Sequence, residues 1–134
     1  MEYPLRVEEY SLVQDSGGAG EFRGGMGLRR VVKPVGHACL FNGVGERFRH
    51  QPWGLWGGTA GKSGRFLMRD ADGDVRRLED KPGEVGVSET QAIIVETPGA
   101  GGYGPPQQRS DEHIAADRVS GKFSERYMQR NYDR

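Results

Sequence analysis

The sequence has only one cysteine, Cys39, and no apolar run long enough to cross a membrane. A single thiol excludes an internal disulfide framework and any zinc site built from several cysteines. It fits a reducing cytoplasm, where we expect the protein to be located. Because Cys39 lies in an apolar stretch, we interpret it as a small buried hydrophobic residue and not as a nucleophile. The first ten residues also lack the basic start and the apolar centre of a signal peptide.

Net charge is lacking as well, since 19 basic side chains balance 19 acidic ones. Bulk charge therefore gives no attraction to nucleic acid or to an anionic membrane, and we expect neither as a partner. One stretch is locally basic and interleaves arginines with aromatic residues: Arg23, Arg29, Arg30, Arg47 and Arg49. We predict that these arginines stack on rings or pair with carboxylates across a contact between subunits, in preference to binding nucleic acid.

Two motifs resemble ligand sites, but their spacing does not fit. In GGTAGKSG, residues 57–64, a phosphate loop would need glycine five positions before Gly61, where Trp56 stands, and a helix after the loop, where the sequence predicts a strand. In DADGD, residues 70–74, the glycine comes too early for a calcium loop, so we predict a turn. The three histidines are far apart in the sequence. We therefore assign no catalytic, cofactor-binding or metal-binding residue to this chain.

Apolar residues make up only 34% of the chain, whereas 22 residues are glycine. Several of these glycines follow one another at intervals of three: Gly17 and Gly20, Gly24 and Gly27, Gly58, Gly61 and Gly64, and Gly99 and Gly102. The polyproline II helix has three residues per turn, so glycine at every third position leaves one edge without side chains. We predict that these stretches are short extended helices packed side by side, with contacts between backbones replacing part of the missing apolar core.

Five stretches have the alternating or β-branched residues of strands: residues 4–13, 26–35, 37–41, 64–79 and 91–98. The fourth contains an Asp-Gly turn signal and predicts a hairpin. Further on, Ser110 and Ser124 are candidate N-caps of two short helices, the first of them ended by Gly121. The predicted fold is mainly β, a small β-sheet or barrel-like module with glycine-rich polyproline-II-like segments and a short C-terminal helical pair. We expect one domain overall, with a β and glycine-rich module at residues 1–106 and a helical segment at residues 107–134.

Three stretches together resemble the C-terminal part of the hydantoinase B/5-oxoprolinase family: YPLRVEEYSLVQDSGGAGEFRGGMGLRR, QPWGLWGGTAGKSGR and ETPGAGGYGPP. They occur in the family's order over nearly the whole chain. The sequence departs from the family at Ala100 and Pro105, where glycine and aspartate are usual. Family members are several times longer, and their N-terminal part, which is associated with metal binding, is absent here. The resemblance implies a detached C-terminal module, and Met1 directly before it favours a separate gene product.

The resemblance also implies a function. Within the family, the chain is most similar to the small subunit of an ATP-dependent ketone carboxylase, a ligase that forms carbon–carbon bonds by converting acetophenone, bicarbonate and ATP to benzoylacetate. The expected partners are a hydantoinase B-like large subunit and hydantoinase A-like ATPase subunits, in a hetero-oligomer. ATP and a divalent metal are expected on those partners and not on this chain. Two alternatives remain open: a subunit of an ATP-dependent hydantoinase or oxoprolinase, and a stand-alone binding or regulatory module.

With no catalytic group of its own, the chain is expected to complete the architecture of its large partner. Four apolar side chains are the candidate anchors for this role: Trp53, Leu55, Trp56 and Phe66. Large aromatic and aliphatic residues contribute most strongly when they are fully buried. The sequence leaves open whether each is buried in the chain's own core or against the partner.

Overall fold

A computed structural model describes residues 3–133 and shows two separate β-sheets and two short α-helices. The strands are β1 (Leu5–Leu12), β2 (Leu28–Pro34), β3 (Cys39–Phe41), β4 (Arg65–Arg69), β5 (Val75–Arg77), β6 (Val85–Val87) and β7 (Ala92–Glu96). A 3-10 turn (Pro106–Gln108) precedes the helices α1 (Asp111–Val119) and α2 (Glu125–Tyr132). The predicted mainly β class is confirmed. The barrel-like alternative is wrong, because the larger sheet stays open, with β1 and β5 at its edges.

The larger sheet is antiparallel and has the strand order β1-β2-β7-β4-β5. The apolar run of β7 lies at its centre, as expected for a strand with few polar residues. β4 and β5 form the predicted hairpin, in which Asp70 donates its N–H to the carbonyl of Asp74 at 2.8 Å. Gly73 adopts a left-handed backbone there (φ 92°), which explains the glycine in the turn.

β3 and β6 pair with each other and pack against one face of the larger sheet. The buried core between them is formed by Phe48, Phe66, Met68, Leu78, Val87 and Ile93. Cys39 packs against this core as a small hydrophobic residue, but it is half-buried and not fully buried as predicted. The sequence pattern does not predict β6, because two valines around Gly86 are too short a signal of alternation.

The opposite face of the larger sheet carries a layer of ion pairs beside a small buried apolar cluster, which consists of Val31, Leu67, Ala92 and Ile94. Glu96 on β7 accepts hydrogen bonds from Arg29 on β2, at 2.5 Å, and from Arg65 on β4. Both arginines lie directly opposite Glu96 in the register of their strands. The carboxylate thus joins three neighbouring strands, and only 8% of its side chain is exposed.

We expect acid to weaken the fold through Glu96. Burial alone would raise the pKa of this carboxyl, but hydrogen bonds from Arg65 and Arg29 outweigh burial and hold the pKa below its ordinary value. A carboxyl whose pKa is lower in the folded state contributes stability above its unfolded-state pKa, and this contribution is lost as the pH falls through the folded-state pKa. In urea unfolding at pH 7, Glu96→Gln should lower the free energy of unfolding by about 2 kcal/mol. This difference should narrow as the pH falls below about 4.3, the pKa of an ordinary glutamate, and an equal difference at pH 7 and in acid would contradict the prediction.

Three extended segments, residues 16–27, 51–64 and 97–104, pack together beside the sheets, and we call them the glycine cluster. Each segment is hydrogen-bonded to the other two through the backbone. Ala100 donates to the carbonyl of Gly25 at 2.9 Å, Gly102 donates to that of Thr59 at 2.9 Å, and Thr59 donates to that of Ala19 at 2.7 Å. Buried peptide groups need such partners, so the cluster is an ordered structure although it contains no regular strand.

Many glycines of the cluster face the backbone of another segment so closely that an added methyl group would overlap it: Gly18, Gly20, Gly24, Gly27, Gly58, Gly61, Gly99, Gly101 and Gly102. The contact between backbones that the intervals of three predict is therefore present. The polyproline II conformation itself stays a prediction. Because glycine has no side chain, the three backbones of the cluster come close enough to hydrogen-bond to one another. A typical domain would fill this space with apolar side chains.

The two helices begin at the predicted N-caps and pack against the first segment of the glycine cluster. The hydroxyl oxygens of Ser110 and Ser124 each accept a hydrogen bond from a backbone N–H in the first turn of their helix. Gly121, between the helices, has the left-handed backbone (φ 70°) expected after a helix end. The apolar contact with the cluster is formed by Ala19, Ile114, Phe123, Met128 and Tyr132.

Polar groups strengthen the contact between the helices and the glycine cluster. The hydroxyl of Tyr127 donates to the carbonyl of Gly17 at 2.7 Å, and burial raises the pKa of Tyr127, so it keeps the proton that it donates. Asp117 on α1 is buried and accepts from Arg23, in the cluster, and from Arg109, each at 2.8 Å. The bond between Arg23 and Asp117 connects residues 94 positions apart in the sequence.

Candidate interaction surface

Four large side chains form an exposed surface on the glycine cluster, and we call it the aromatic patch: Phe22, Leu55, Trp56 and Tyr103. The ring of Tyr103 lies between its neighbours, with ring centroids 6.2 Å from Phe22 and 5.1 Å from Trp56. Trp56 is 73% exposed and Phe22 is 58% exposed. Each of the three segments contributes to the patch, so its shape depends on the packing of the whole cluster.

Backbone hydrogen bonds hold the patch in place. Phe22 and Tyr103 donate to each other's carbonyls at 3.0 and 2.8 Å, which forms an isolated antiparallel bridge. Leu55 donates to the carbonyl of Gly102 and accepts from the N–H of Gly104, both at 2.9 Å. Because the backbone is already ordered, a partner that binds here would pay little conformational entropy at these positions.

A tight turn presents Trp56. The carbonyl of Leu55 accepts from the N–H of Gly58 at 2.9 Å, and the two residues between them, Trp56 and Gly57, have φ values of 45° and 92°. Two successive positive φ values are typical of a type I′ turn. This conformation is unfavourable for a bulky residue such as tryptophan, and strain of this kind is concentrated at functional positions. The turn directs the indole to the surface, where its apolar area is largely exposed.

Trp53 is also exposed, at 61%, but it contacts an arginine. The guanidinium of Arg47 lies 4.1 Å from the centre of the indole, a cation–π contact, and Arg47 itself has a positive φ of 58°. Arg47 also lines an open cleft of about 990 Å³. Its charged lining mixes both signs, with Arg47, Arg49, Arg77 and Lys81 beside Glu46, Glu79 and Asp80. A lining of mixed charge favours neither an anionic nor a cationic ligand, so we assign this cleft no role.

The four candidate anchors therefore lie in different surroundings. Phe66 is 6% exposed and belongs to the core between the two sheets. Trp53, Leu55 and Trp56 are at the surface, so they would be buried only against another molecule. Sequence reasoning missed Phe22 and Tyr103 as members of the patch, although a single aromatic residue among glycines was the available signal in both segments.

The basic stretch provides contacts within the chain. Arg23 pairs with Asp117, Arg29 pairs with Glu96, and the guanidinium of Arg30 lies 4.8 Å from the ring centre of Tyr10. Stacking and pairing were the predicted roles, and both are observed. The part of the prediction that placed these contacts between subunits is wrong for these three arginines, because their partners lie in the same chain.

The glycine-lysine-serine motif is part of the glycine cluster. Gly61 donates its N–H to the carbonyl of Pro52 and Lys62 donates to that of Ser16, both at 2.9 Å, so these amides do not form a phosphate cradle. The motif is followed by strand β4 rather than by a helix. Within residues 3–133, no three His, Cys, Asp or Glu side chains lie together as a possible metal site. In the same part of the chain, neither helix is long and apolar enough to span a membrane.

Comparisons with known proteins agree with the motifs. The family described as Hydantoinase B/oxoprolinase matches residues 1–106. Caprolactamase subunit beta of Pseudomonas jessenii is 38% identical over 136 residues, which cover 91% of this chain and 22% of the relative. The crystal structure of the ATP-dependent caprolactamase from Pseudomonas jessenii superimposes with a TM-score of 0.75 at 30% identity, covering 97% of this chain and 23% of that one.

A more distant solved structure has the same fold. Nucleotide-free acetone carboxylase, from a study of ATP-dependent acetone carboxylation, superimposes with a TM-score of 0.73 at 22% identity, covering 96% of this chain and 21% of that one. The chain thus spans between a fifth and a quarter of the length of each of these three proteins. The match over most of its residues shows that the chain belongs to the hydantoinase B/oxoprolinase family.

Proposed function

We propose that this chain is a non-catalytic module of a multi-subunit ATP-dependent enzyme, and that it completes a hydantoinase B-type large subunit by docking through the aromatic patch. The observation that carries this proposal is the patch itself: large apolar side chains, largely exposed, on a backbone that hydrogen bonds already order. Contiguous exposed apolar surface is typical of sites that bind another protein. Aromatic residues in such surfaces contribute most of the binding free energy when a partner covers them.

The proposal includes a division of labour between subunits that is compatible with the described residues. Residues 3–133 hold no grouped metal ligands, and the glycine-rich motif that resembles a phosphate loop uses its amides within the fold. In the proposed complex, a hydantoinase A-type ATPase subunit binds ATP and a divalent metal, and the large subunit supplies the catalytic groups. We place this assembly in the cytoplasm.

For the reaction, we propose the ATP-dependent carboxylation of acetophenone by bicarbonate to benzoylacetate, which makes the chain the small subunit of an acetophenone carboxylase. The similarity in fold to acetone carboxylase is compatible with a ketone substrate. A second candidate is ATP-dependent opening of a cyclic amide, as in a hydantoinase or oxoprolinase. It is favoured by the 38% identity to a caprolactamase subunit, whose name indicates a lactam substrate.

Native purification followed by a substrate panel tests the proposal. The chain carries an affinity tag in its own organism, companion chains are identified by mass, and ATP hydrolysis by the complex is measured with acetophenone plus bicarbonate, with hydantoin, with 5-oxoproline and with caprolactam. We expect two larger companions of the hydantoinase A and B types, and hydrolysis that depends on acetophenone and bicarbonate. Hydrolysis that depends on a cyclic amide would support the second candidate. A monomeric chain without companions that binds a small ligand tightly would support a stand-alone module and contradict both.

We expect Trp56→Ala to weaken docking without unfolding the chain. The indole is 73% exposed in the free chain, so its removal creates no cavity, whereas loss of an aromatic anchor from an interface costs about 2 kcal/mol, or about 30-fold in Kd. Val119→Ala is the control, because Val119 is 87% exposed on α1, outside the patch. Calorimetric titration of each variant against the purified large subunit measures Kd. Equal Kd values for both variants and the unmodified chain would contradict docking through the patch.

A further inference from the structure

β1 is the longest strand in the described part of the chain and one of the most exposed. It spans eight residues and lies at the edge of the larger sheet, where it pairs with β2. Its apolar side chains, Leu5, Val7, Tyr10 and Leu12, are 48, 57, 61 and 45% exposed. All four lie opposite even-numbered residues of β2, so they share one face of the sheet. A long apolar edge strand is a template for pairing with another strand, and proteins normally protect it.

The β-bulge in β1 creates this apolar face. The register with β2 shifts between Val7 and Glu9, so Glu8 is the extra residue. Without the extra residue, Val7 and Tyr10 would point to opposite faces, because they are three positions apart. With it, Glu8 pairs with Arg69 on the other side of the sheet, and no acidic side chain interrupts the apolar face.

The backbone of the same residues points away from β2. Val13 donates its N–H to the carbonyl of Gly27 at 2.8 Å, and inward and outward groups alternate along an antiparallel strand, so the N–H and C=O groups of Tyr10 and Leu12 point outward. On the other side of the bulge, the N–H of Val35 donates to the carbonyl of Pro4 at 2.9 Å, which by the same alternation directs Val7 outward. Apolar side chains and outward peptide groups therefore belong to the same residues.

We propose that a β-strand of the longer hydantoinase B-type chain pairs with the outer edge of β1 and extends the sheet from five strands to six. The inference rests on the proposed function and adds a second contact, distinct from the aromatic patch. Strand addition of this kind obtains affinity from backbone hydrogen bonds and specificity from alternate side chains. The incoming strand would bring apolar residues against Val7, Tyr10 and Leu12.

Two observations favour this occupant. In the solved caprolactamase, the same fold accounts for 23% of a longer chain, so more than three quarters of that chain lies outside the matched fold and is available to cover its edges. A second copy of this chain fits less well. Antiparallel pairing of β1 with itself, in the register that matches Val7 with Tyr10, places Glu8 opposite Glu9 twice, and like charges directly opposite each other destabilise a strand pair.

Hydrogen exchange measured residue by residue by NMR, in the free chain and in its complex with the large subunit of the source organism, tests the proposal. We expect the amides of Val7, Tyr10 and Leu12 to exchange at least tenfold more slowly in the complex, while the inward amides of Glu9 and Ser11 are already protected in the free chain. If the complex forms but the outward amides exchange at the same rate, the pairing of β1 is overturned and the proposed function stands. If no complex forms, the proposed function fails together with the inference. Protection of the same amides in a dimer of the chain alone would also overturn the pairing with the longer chain, because β1 would then pair with a second copy of this chain.

A pair of substitutions provides an independent readout. Val7→Lys places a charge on the outward edge of β1, whereas Val75→Lys places the same charge on β5, at the other edge of the sheet. The two valines are similarly exposed, at 57% and 52%, so both variants should fold. We expect Val7→Lys to weaken binding of the large subunit at least tenfold and Val75→Lys to leave the Kd unchanged. Equal Kd values for the two variants would overturn the proposal, and circular dichroism verifies that both are folded.

Discussion

Replacing Gly24 with alanine should destabilise the protein severely, whereas the same change at the neighbouring Gly25 should be harmless. A methyl group on Gly24 would overlap the carbonyl oxygen of Ala100 and the adjacent backbone. A methyl group on Gly25 would meet no atom within 4 Å. Neither glycine has a left-handed backbone, so the two variants differ in steric overlap and not in backbone strain.

The expected loss of stability depends on whether the atoms that the new methyl group overlaps can move. Overpacking against flexible side chains typically costs 1–3 kcal/mol, and here the obstacle is the hydrogen-bonded backbone of another segment, so we expect Gly24→Ala to lower the free energy of unfolding by about 3 kcal/mol or more. Alanine at Gly25 restricts the unfolded chain and should change stability by less than about 1 kcal/mol, in the stabilising direction. Urea unfolding, followed by tryptophan fluorescence, measures the free energy of unfolding of both variants. Similar losses in the two variants would show that glycine is needed here for flexibility and not for contact between backbones.

The second large effect is expected at Asp117, which connects the helices to the glycine cluster. Its side chain is 5% exposed and is paired with Arg109, which is 7% exposed, as well as with Arg23. Asp117→Asn keeps the shape but removes the negative charge that faces the buried guanidinium of Arg109. Breaking a buried ion pair from one side costs about 3–5 kcal/mol. We therefore expect the helices to separate from the cluster, which limited proteolysis of the C-terminal segment would detect together with a lower urea midpoint.

Asp133→Asn is the matched control for Asp117→Asn. Asp133 also pairs with an arginine, Arg118, but these side chains are 49% and 41% exposed. Surface pairs of this kind contribute about 0–1 kcal/mol. Proteolysis and unfolding of this variant should match those of the unmodified chain. If both variants behaved alike, the attachment of the helices would depend on apolar contacts around Ala19 and not on the buried pair.

The sequence alone predicts the elements whose signals are local. Strand β7, the hairpin of β4 and β5 and the two helix caps each depend on residues within a few positions of one another, and all appear where expected. The intervals between glycines also contain real information about packing, because a missing side chain matters only where another backbone approaches. The sequence does not predict β6, because a strand of three residues has too short a local pattern. It forms through its pairing with β3.

The candidate site was predictable only in part. Large apolar residues at positions 53, 55 and 56 indicate either a core or an interface. Hydrophobicity alone does not distinguish the two, because residues of both kinds are apolar. The turn at Trp56 and Gly57 decides between them, since it directs the indole outward, and Phe22 and Tyr103 join the patch only through pairing of distant segments. Likewise, the apolar face of β1 depends on a bulge that becomes visible only when the strand is paired with β2.

By itself, the sequence determined the types of element, the places where backbones come close and the family, because these depend on residue identity and short spacing. Tertiary structure alone decided which apolar side chains lie outside, which arginine pairs with which carboxylate and which strand edge stays open. The physical reason is that these outcomes depend on how segments up to 112 residues apart in the sequence are aligned, and one step of register reverses the direction of every side chain in a strand.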